Sequence, residues 1–197
     1  MSSRVLRTAF ALLLAALFLA ACGPSAPKFR NADITGAEYG RDLALTDHTG
    51  KARTLADFRG KVVVMFFGFM RCPDVCPTTL AELKVVLEGL GADASRVQVL
   101  FITLDPERDT PDLLAQYVTA FSPNFLGLYG DMQATARVAK EFKIFYQKAP
   151  GPGPGDYSID HSAGSYVIDP QGRLRLYVRH GQAAGLAADL RLLLKGA

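Results

Sequence analysis

The chain has 197 residues, 49% hydrophobic and 21% charged, which suits one domain with a real core and hardly two. The formal net charge is +3, and it falls to +1, 20 basic against 19 acidic residues, once Arg4 and Arg7 are assigned to a removed leader. That balance argues against a nucleic-acid partner, which needs a basic stripe to neutralise phosphates.

Residues 1–21 read as a lipoprotein signal peptide. Arg4 and Arg7 form a positive start, and residues 9–20 are all apolar, a run too short to span a membrane. The run ends in Leu19-Ala20-Ala21-Cys22-Gly23, small residues before a single cysteine. It resembles a bacterial lipobox, which implies cleavage before Cys22 and lipidation of Cys22. An ordinary signal peptide with a chance cysteine, or an uncleaved anchor, would export the domain equally. An extracytoplasmic, membrane-anchored protein is therefore expected. Residues 22–38 read as lipid anchor and flexible tether, since 23–30 are small and chain-breaking. Residues 39–197 read as the folded domain, and one domain on a tether fits a monomer.

Within that domain, Leu43–Asp47 reads as a short strand followed by a turn, and 54–61 as a turn or short helix. Val62–Phe67 is a continuous run of β-formers, consistent with a strand buried on both faces. A helix is expected from Cys76, with Pro77 at its first position, Thr79 and Glu82 as an out-of-phase capping box, and Leu80, Leu83, Leu87 and Leu90 on one face. Gly89 and Gly91 mark its end. Val97–Leu104 is a second buried strand. Thr110-Pro111-Asp112 opens a helix to about Phe121, with Thr110 as cap and an acid in the first turn. Leu126–Tyr129 is a short strand, Asp131 caps a helix to about Glu141, and the chain extends again from Lys143 to Gln147. Residues 149–155, an alanine followed by alternating proline and glycine, read as a hairpin loop that buries nothing. Ser165–Asp169 and Leu174–Val178 flank Pro170-Gln171-Gly172-Arg173 as a β-hairpin, and Ala184–Lys195 is a final amphipathic helix. The order predicts an α/β layer fold. It fits a thioredoxin-like central mixed sheet flanked by helices, with an inserted helix and a C-terminal β-hairpin plus helix.

Of three cysteines, Cys22 is accounted for by the lipobox, leaving Cys72 and Cys76. A bridge between them closes so small a loop that it constrains little of the unfolded chain, so metal or redox chemistry explains the pair better than a structural staple. The pair sits between a buried strand and a helix N-terminus, whose free amides and partial positive charge favour thiolate. Soft thiolates select Cu(I), zinc and iron–sulfur clusters over hard cations. Two cysteines alone do not make the closed four-ligand site of structural zinc. Copper(I) accepts low coordination, so the pair with one histidine suffices. The spacing is CxxxC, one residue longer than the CxxC of thioredoxin-type redox centres, although a disulfide remains geometrically possible.

There are three histidines. A lone histidine is more often a satisfied polar residue than a ligand, and His48 and His180, beside glycine-containing turns, read as surface. His161 differs, because it precedes a core strand at the place where a thioredoxin-like chain returns to the thiols. Asp160 or a backbone carbonyl would orient its ring. Met70 is a soft donor near the pair, with simple packing the plainer reading. Asp105–Pro111 reads as capping and loop ordering rather than copper contact. Arg108 is expected to pair with Asp109 or another acid.

The stretches Cys72-Pro-Asp-Val-Cys76-Pro-Thr-Thr-Leu-Ala-Glu-Leu, Asp105-Pro-Glu-Arg-Asp-Thr-Pro111 and Asp156-Tyr-Ser-Ile-Asp-His161-Ser resemble the SCO/SenC family, in that family's order across roughly residues 40–195. The resemblance implies a thioredoxin-like fold and a copper ion on Cys72, Cys76 and His161. It also implies loading of the CuA centre of cytochrome c oxidase subunit II, or of another copper protein, and reversible oxidation of the cysteine pair. The chain departs from the family pattern at Met70 and Arg71, where threonine and histidine are usual. Arg71 removes an auxiliary ligand and adds positive charge that should favour thiolate. The glycine–proline loop also looks unusual.

Three functions compete, and fold alone cannot separate them. A copper metallochaperone binds and transfers without being an enzyme. A thiol–disulfide oxidoreductase would attack with Cys72 and resolve with Cys76. A peroxide reductase shares the fold. An oxidoreductase needs no His161, and thioredoxin-like reductases place a proline where this chain has Ser162-Ala163-Gly164-Ser165, so the sequence favours the chaperone.

Overall fold

The computed structural model describes residues 28–151, 153 and 155–197. The expected signal peptide, Cys22 and the first part of the tether lie outside the described residues, as do Pro152 and Pro154. Among the described residues, no helix is long and apolar enough to cross a membrane.

Among the described residues, ten strands and four α-helices follow one another along the chain. They are β1 (Ala32–Asp33), β2 (Leu45–Asp47), β3 (Ala52–Arg53), β4 (Val62–Gly68), α1 (Val75–Leu90), β5 (Val97–Thr103), α2 (Pro111–Phe121), β6 (Leu126–Tyr129), α3 (Met132–Glu141), β7 (Tyr146–Pro150), β8 (Tyr157–His161), β9 (Ser165–Ile168), β10 (Leu174–Val178) and α4 (Leu186–Leu194). Eight strands form one sheet in the order β1-β10-β9-β4-β5-β6-β2-β3, and β7 and β8 form a separate hairpin. β4, β5 and β6 run parallel, and β9 pairs antiparallel with β4.

β4 is central, and all seven of its residues are buried. Successive strand side chains point to opposite faces. Val62, Val64 and Phe66 accordingly join one core with Leu80, Leu83, Leu114, Val118 and Leu190, under α1, α2 and α4. Val63, Met65 and Phe67 join a second core with Leu43, Phe58, Val138, Phe142 and Tyr166, under α3. A continuous apolar run is what a strand covered on both faces requires. Parallel strands cannot be joined by a tight turn, so α1 makes the crossover from β4 to β5. This is the thioredoxin-like arrangement that the element order predicts, with the β9–β10 hairpin and α4 closing the chain.

Some expectations change. Residues 28–38 are docked rather than a loose tether. The Arg30 and Asn31 amides donate to the Asp189 carboxylate at 2.8 and 2.9 Å, and Ala32 and Asp33 pair with Tyr177 and Leu176 of β10. A two-residue strand has no periodicity to read, and its partners lie far along the sequence. α1 begins at Val75, so Pro77 is its third residue. Proline is tolerated there because the first four amides of a helix have no acceptor within it. The Thr79–Glu82 capping box does not form, since Thr79 is already inside the helix, buried, with its hydroxyl 3.1 Å from His180 Nδ1. The caps Thr110 and Asp131 form as expected, accepting from the amides of Leu113 and Ala134.

Candidate metal centre

β4 delivers the chain to the end of the sheet at Gly68, where a short turn closed by the Cys72 amide on the Phe69 carbonyl (3.2 Å) leads into the cysteine pair. Cys76 is the second residue of α1, so its amide is one of the unpaired donors of the helix start. That amide points at Cys72 Sγ, 3.4 Å away. Both thiols are free, Cys72 half-buried and Cys76 fully buried. Gly68 makes the burial possible, because a Cβ at that position would lie 2.7 Å from Cys76 Sγ.

His161 ends β8, opposite Tyr146 of β7, and the hairpin brings it back over the thiols. Its Nε2 lies 3.7 Å from Cys76 Sγ. The ligand atoms of Cys72, Cys76 and His161 all lie within 4.8 Å of one another. His161 Nδ1 is 2.9 Å from the Ser162 carbonyl, which can only accept. Nδ1 therefore carries the proton and Nε2 keeps its lone pair turned toward the thiols. Of the two expected orienting groups it is the backbone carbonyl that serves; Asp160 is exposed. Burial pushes the His161 pKa below its usual 6.5, outweighing the opposing pulls of Ser162 and Asp160. The ring is thus neutral near pH 7, the form that ligates. Phe66 and Phe69 wall it edge-on, at centroid distances of 6.3 and 5.8 Å.

The expectation that the helix start makes both thiols acidic fails at Cys76. Burial pushes its pKa well up, a backbone hydrogen bond from Phe69 pulls the other way and loses, and Cys72 and Asp109 add to the rise. Desolvation of a charge outweighs the partial charge of a helix end. Cys76 therefore stays a thiol until a cation displaces its proton. Arg71 does not serve the thiols as expected. Its side chain is 65% exposed and reaches Asp156 at 3.9 Å, a pairing that solvent screens.

Two sulfurs and one imidazole nitrogen, one side half-open, form a soft, low-coordination set. It suits Cu(I) and falls short of a closed tetrahedral zinc site. Met70 packs against the core, as its plainer reading has it. His48 is half-buried and accepts the Gly127 amide at 3.1 Å, while His180 is exposed. Neither joins the cluster.

The 105–109 loop orders its surroundings and supplies no ligand. Arg108 pairs with Asp105 and with Asp156 at 3.4 Å, not with Asp109. Asp109 is buried and accepts from the Thr103 hydroxyl (2.6 Å) and the Met70 amide (3.0 Å). Burial raises its pKa against those two bonds. Sequence reasoning missed Gly68 and Tyr157. The one signal for Gly68 was its place between an all-apolar strand and the first cysteine. Tyr157 had none beyond its place in the family-like Asp156–Ser162 stretch.

The SCO1/SenC family model matches residues 31–195. The chain is 41% identical over 150 residues to the mitochondrial protein SCO2 homolog of Bos taurus, covering 75% of this chain and 56% of that one, so it spans about half of that relative's length. The copper-bound structure of ScoI from Bradyrhizobium japonicum aligns with a TM-score of 0.73 at 40% identity, covering 80% of this chain and all of that one. The solution structure of apo Sco1 from Thermus thermophilus aligns with a TM-score of 0.76 at 42% identity, covering 86% and 99%. With a family match over nearly the whole described domain and a copper-bound relative of the same fold, the chain belongs to the SCO1/SenC family.

Proposed function

We propose that the protein carries copper on Cys72, Cys76 and His161 and hands it to the CuA site of cytochrome c oxidase subunit II or to another copper protein. The observation that carries this reading is the convergence of two free thiols and a neutral imidazole nitrogen within 4.8 Å, from segments 85 residues apart. Loading Cu(I) replaces the two thiol protons, which leave to solvent, while His161 Nε2 adds its lone pair without losing a proton. Cys76 and His161 hold the ion from the buried side. Cys72, half-exposed, is the ligand that an incoming donor displaces first. The sequence of residues 4–22 supports placing the protein outside the cytoplasm, anchored through Cys22.

A second reading has its own observation. The Cys76 amide lies against Cys72 Sγ, and it would stabilise a Cys72 thiolate as a nucleophile. That thiolate would attack a partner disulfide, releasing one partner thiol, and Cys76 would then release the other and close a Cys72–Cys76 bridge. His161 has no part in those steps.

Anaerobic competition of the reduced protein with a chromophoric Cu(I) chelator separates the two. Tight one-to-one binding, weakened about tenfold or more in His161→Ala, is expected. Binding too weak to compete would sink the copper reading and leave the cysteine pair as a redox couple.

A further inference from the structure

The centre is assembled from two bodies. Cys72 lies in the turn after β4 and Cys76 in the first turn of α1, whereas His161 belongs to the β7–β8 hairpin, whose strands, among the described residues, pair only with each other. A two-stranded hairpin is marginal alone and has no intrinsic orientation against a larger sheet. Its position must come from side chains. Along β8, Tyr157, Ile159 and His161 share one face, and Ile159 is buried in the core under α1. Tyr157, at the far end of the strand, is held by the 105–109 loop, while Lys148 of β7 lies 4.4 Å from its ring centroid. Arg108 Nη1 donates to the Tyr157 carbonyl at 2.8 Å, and the guanidinium carbon lies 3.5 Å from the ring centroid. The Tyr157 hydroxyl donates to Asp105 at 2.7 Å, and the other oxygen of that carboxylate takes Arg108 Nε. Asp105 is 1% exposed and the Arg108 side chain 14%. Arg108 Nη2 is buried without a hydrogen-bond partner, in a guanidinium stacked on the tyrosine. A planar fork on a ring is a grip that lysine cannot reproduce. The same loop reaches the other body, since Asp109 accepts the Met70 amide two residues before Cys72.

We propose that the 105–109 loop sets the distance between His161 and the thiols, with Arg108 as the central positioning residue acting through Tyr157. The inference rests on the copper-carrying reading above. Four residue steps of extended strand, about 13 Å, separate Tyr157 from His161. Releasing the far end lets the strand tilt about its base at Ser162 and carries Nε2 away from Cys76 Sγ, while the thiol loop stays in place.

The test uses the full chain loaded with Cu(I) under anaerobic conditions. Chelator competition gives affinity, and X-ray absorption counts sulfur and nitrogen ligands. Arg108→Gln and His161→Ala are made singly and together. Arg108→Gln is expected to weaken binding about tenfold and to reduce the nitrogen contribution while both sulfurs remain. In the His161→Ala background it should cost nothing further, because its effect passes through that ring. An equal loss in both backgrounds, or unchanged affinity and nitrogen count, overturns the proposal. If Arg108→Gln does not fold, Tyr157→Phe decides. It removes the hydroxyl's bonds to Asp105 (2.7 Å) and Glu107 (3.4 Å), both on the loop, and must lower the nitrogen contribution, and a wild-type spectrum and affinity overturn the proposal. Absence of copper binding by the wild type is a different result, which removes the functional reading and this inference with it.

Discussion

Replacing Gly68 with alanine places a methyl carbon 2.7 Å from Cys76 Sγ, 3.0 Å from a Phe101 ring carbon and 3.1 Å from one of Phe66. Non-bonded heavy atoms rest at about 3.5–4.0 Å, so roughly 1 Å must be surrendered on the sulfur side. Neither ring can give way easily, because Phe66 and Phe101 are fully buried in the core under α1. Gly68 cannot retreat either, since it pairs with Thr103 and its carbonyl accepts the Leu104 amide at 2.7 Å. The thiol or the first turn of α1 must move. Overpacking of this kind costs about 1–3 kcal/mol. With a urea slope of about 2 kcal/mol per molar, the unfolding midpoint should fall by about 0.5–1.5 M. On the proposed copper-carrying role, a bound ion would hold the sulfur where the methyl group pushes it out, so the strain would not be relieved on loading. Cu(I) affinity should drop about tenfold, equivalent to about 1.4 kcal/mol. Urea titration of the apo protein and chelator competition of the loaded one measure the two effects. A midpoint within about 0.2 M of wild type together with unchanged affinity would refute the close approach of Gly68 and Cys76 as the element that locates the thiol.

Two further outcomes follow from charge. The Asp47 carboxylate is fully buried, and burial alone would raise its pKa. Hydrogen bonds from Thr49, Arg53 and Lys51 more than offset this and bring it to about 2. A depressed carboxylate stabilises the fold above its unfolded value of 3.8, and that contribution is lost as pH falls toward 2. Asp47→Asn should therefore destabilise by about 2 kcal/mol at pH 7, with the gap to wild type closing between about pH 4 and 2 in denaturant titrations; a gap independent of pH would contradict it. His161 acts in the same sense at higher pH, through burial of its neutral form. Its folded pKa lies below 6.5, so the unfolded chain binds the proton more readily, and apo stability should decline as pH drops through and below 6.5. His161→Gln should flatten that part of the profile measured by thermal unfolding, and an unaltered slope would show that another group controls it.

Much of the framework was legible because it is written in local chemistry. The apolar run Val62–Phe67 needs cover on both faces and finds it, and Leu126–Tyr129, Thr110 and Asp131 act where their turn and cap signals place them. Cys72, Cys76 and His161 were legible as soft donors in a family-like pattern, and the fold brings all three together. What stayed hidden depends on groups remote in the chain. Pairing of β1 with β10, the grip of Arg108 on Tyr157, and the Asp189 carboxylate holding Arg30 and Asn31 each join segments separated by dozens of residues. The pKa of Cys76 shows the difference most directly. A helix N-terminus can be read from sequence and argues for thiolate. Full burial against Gly68, Phe66 and the histidine ring cannot be read there, and it decides the opposite, because removing water from a charge costs more than a helix end returns.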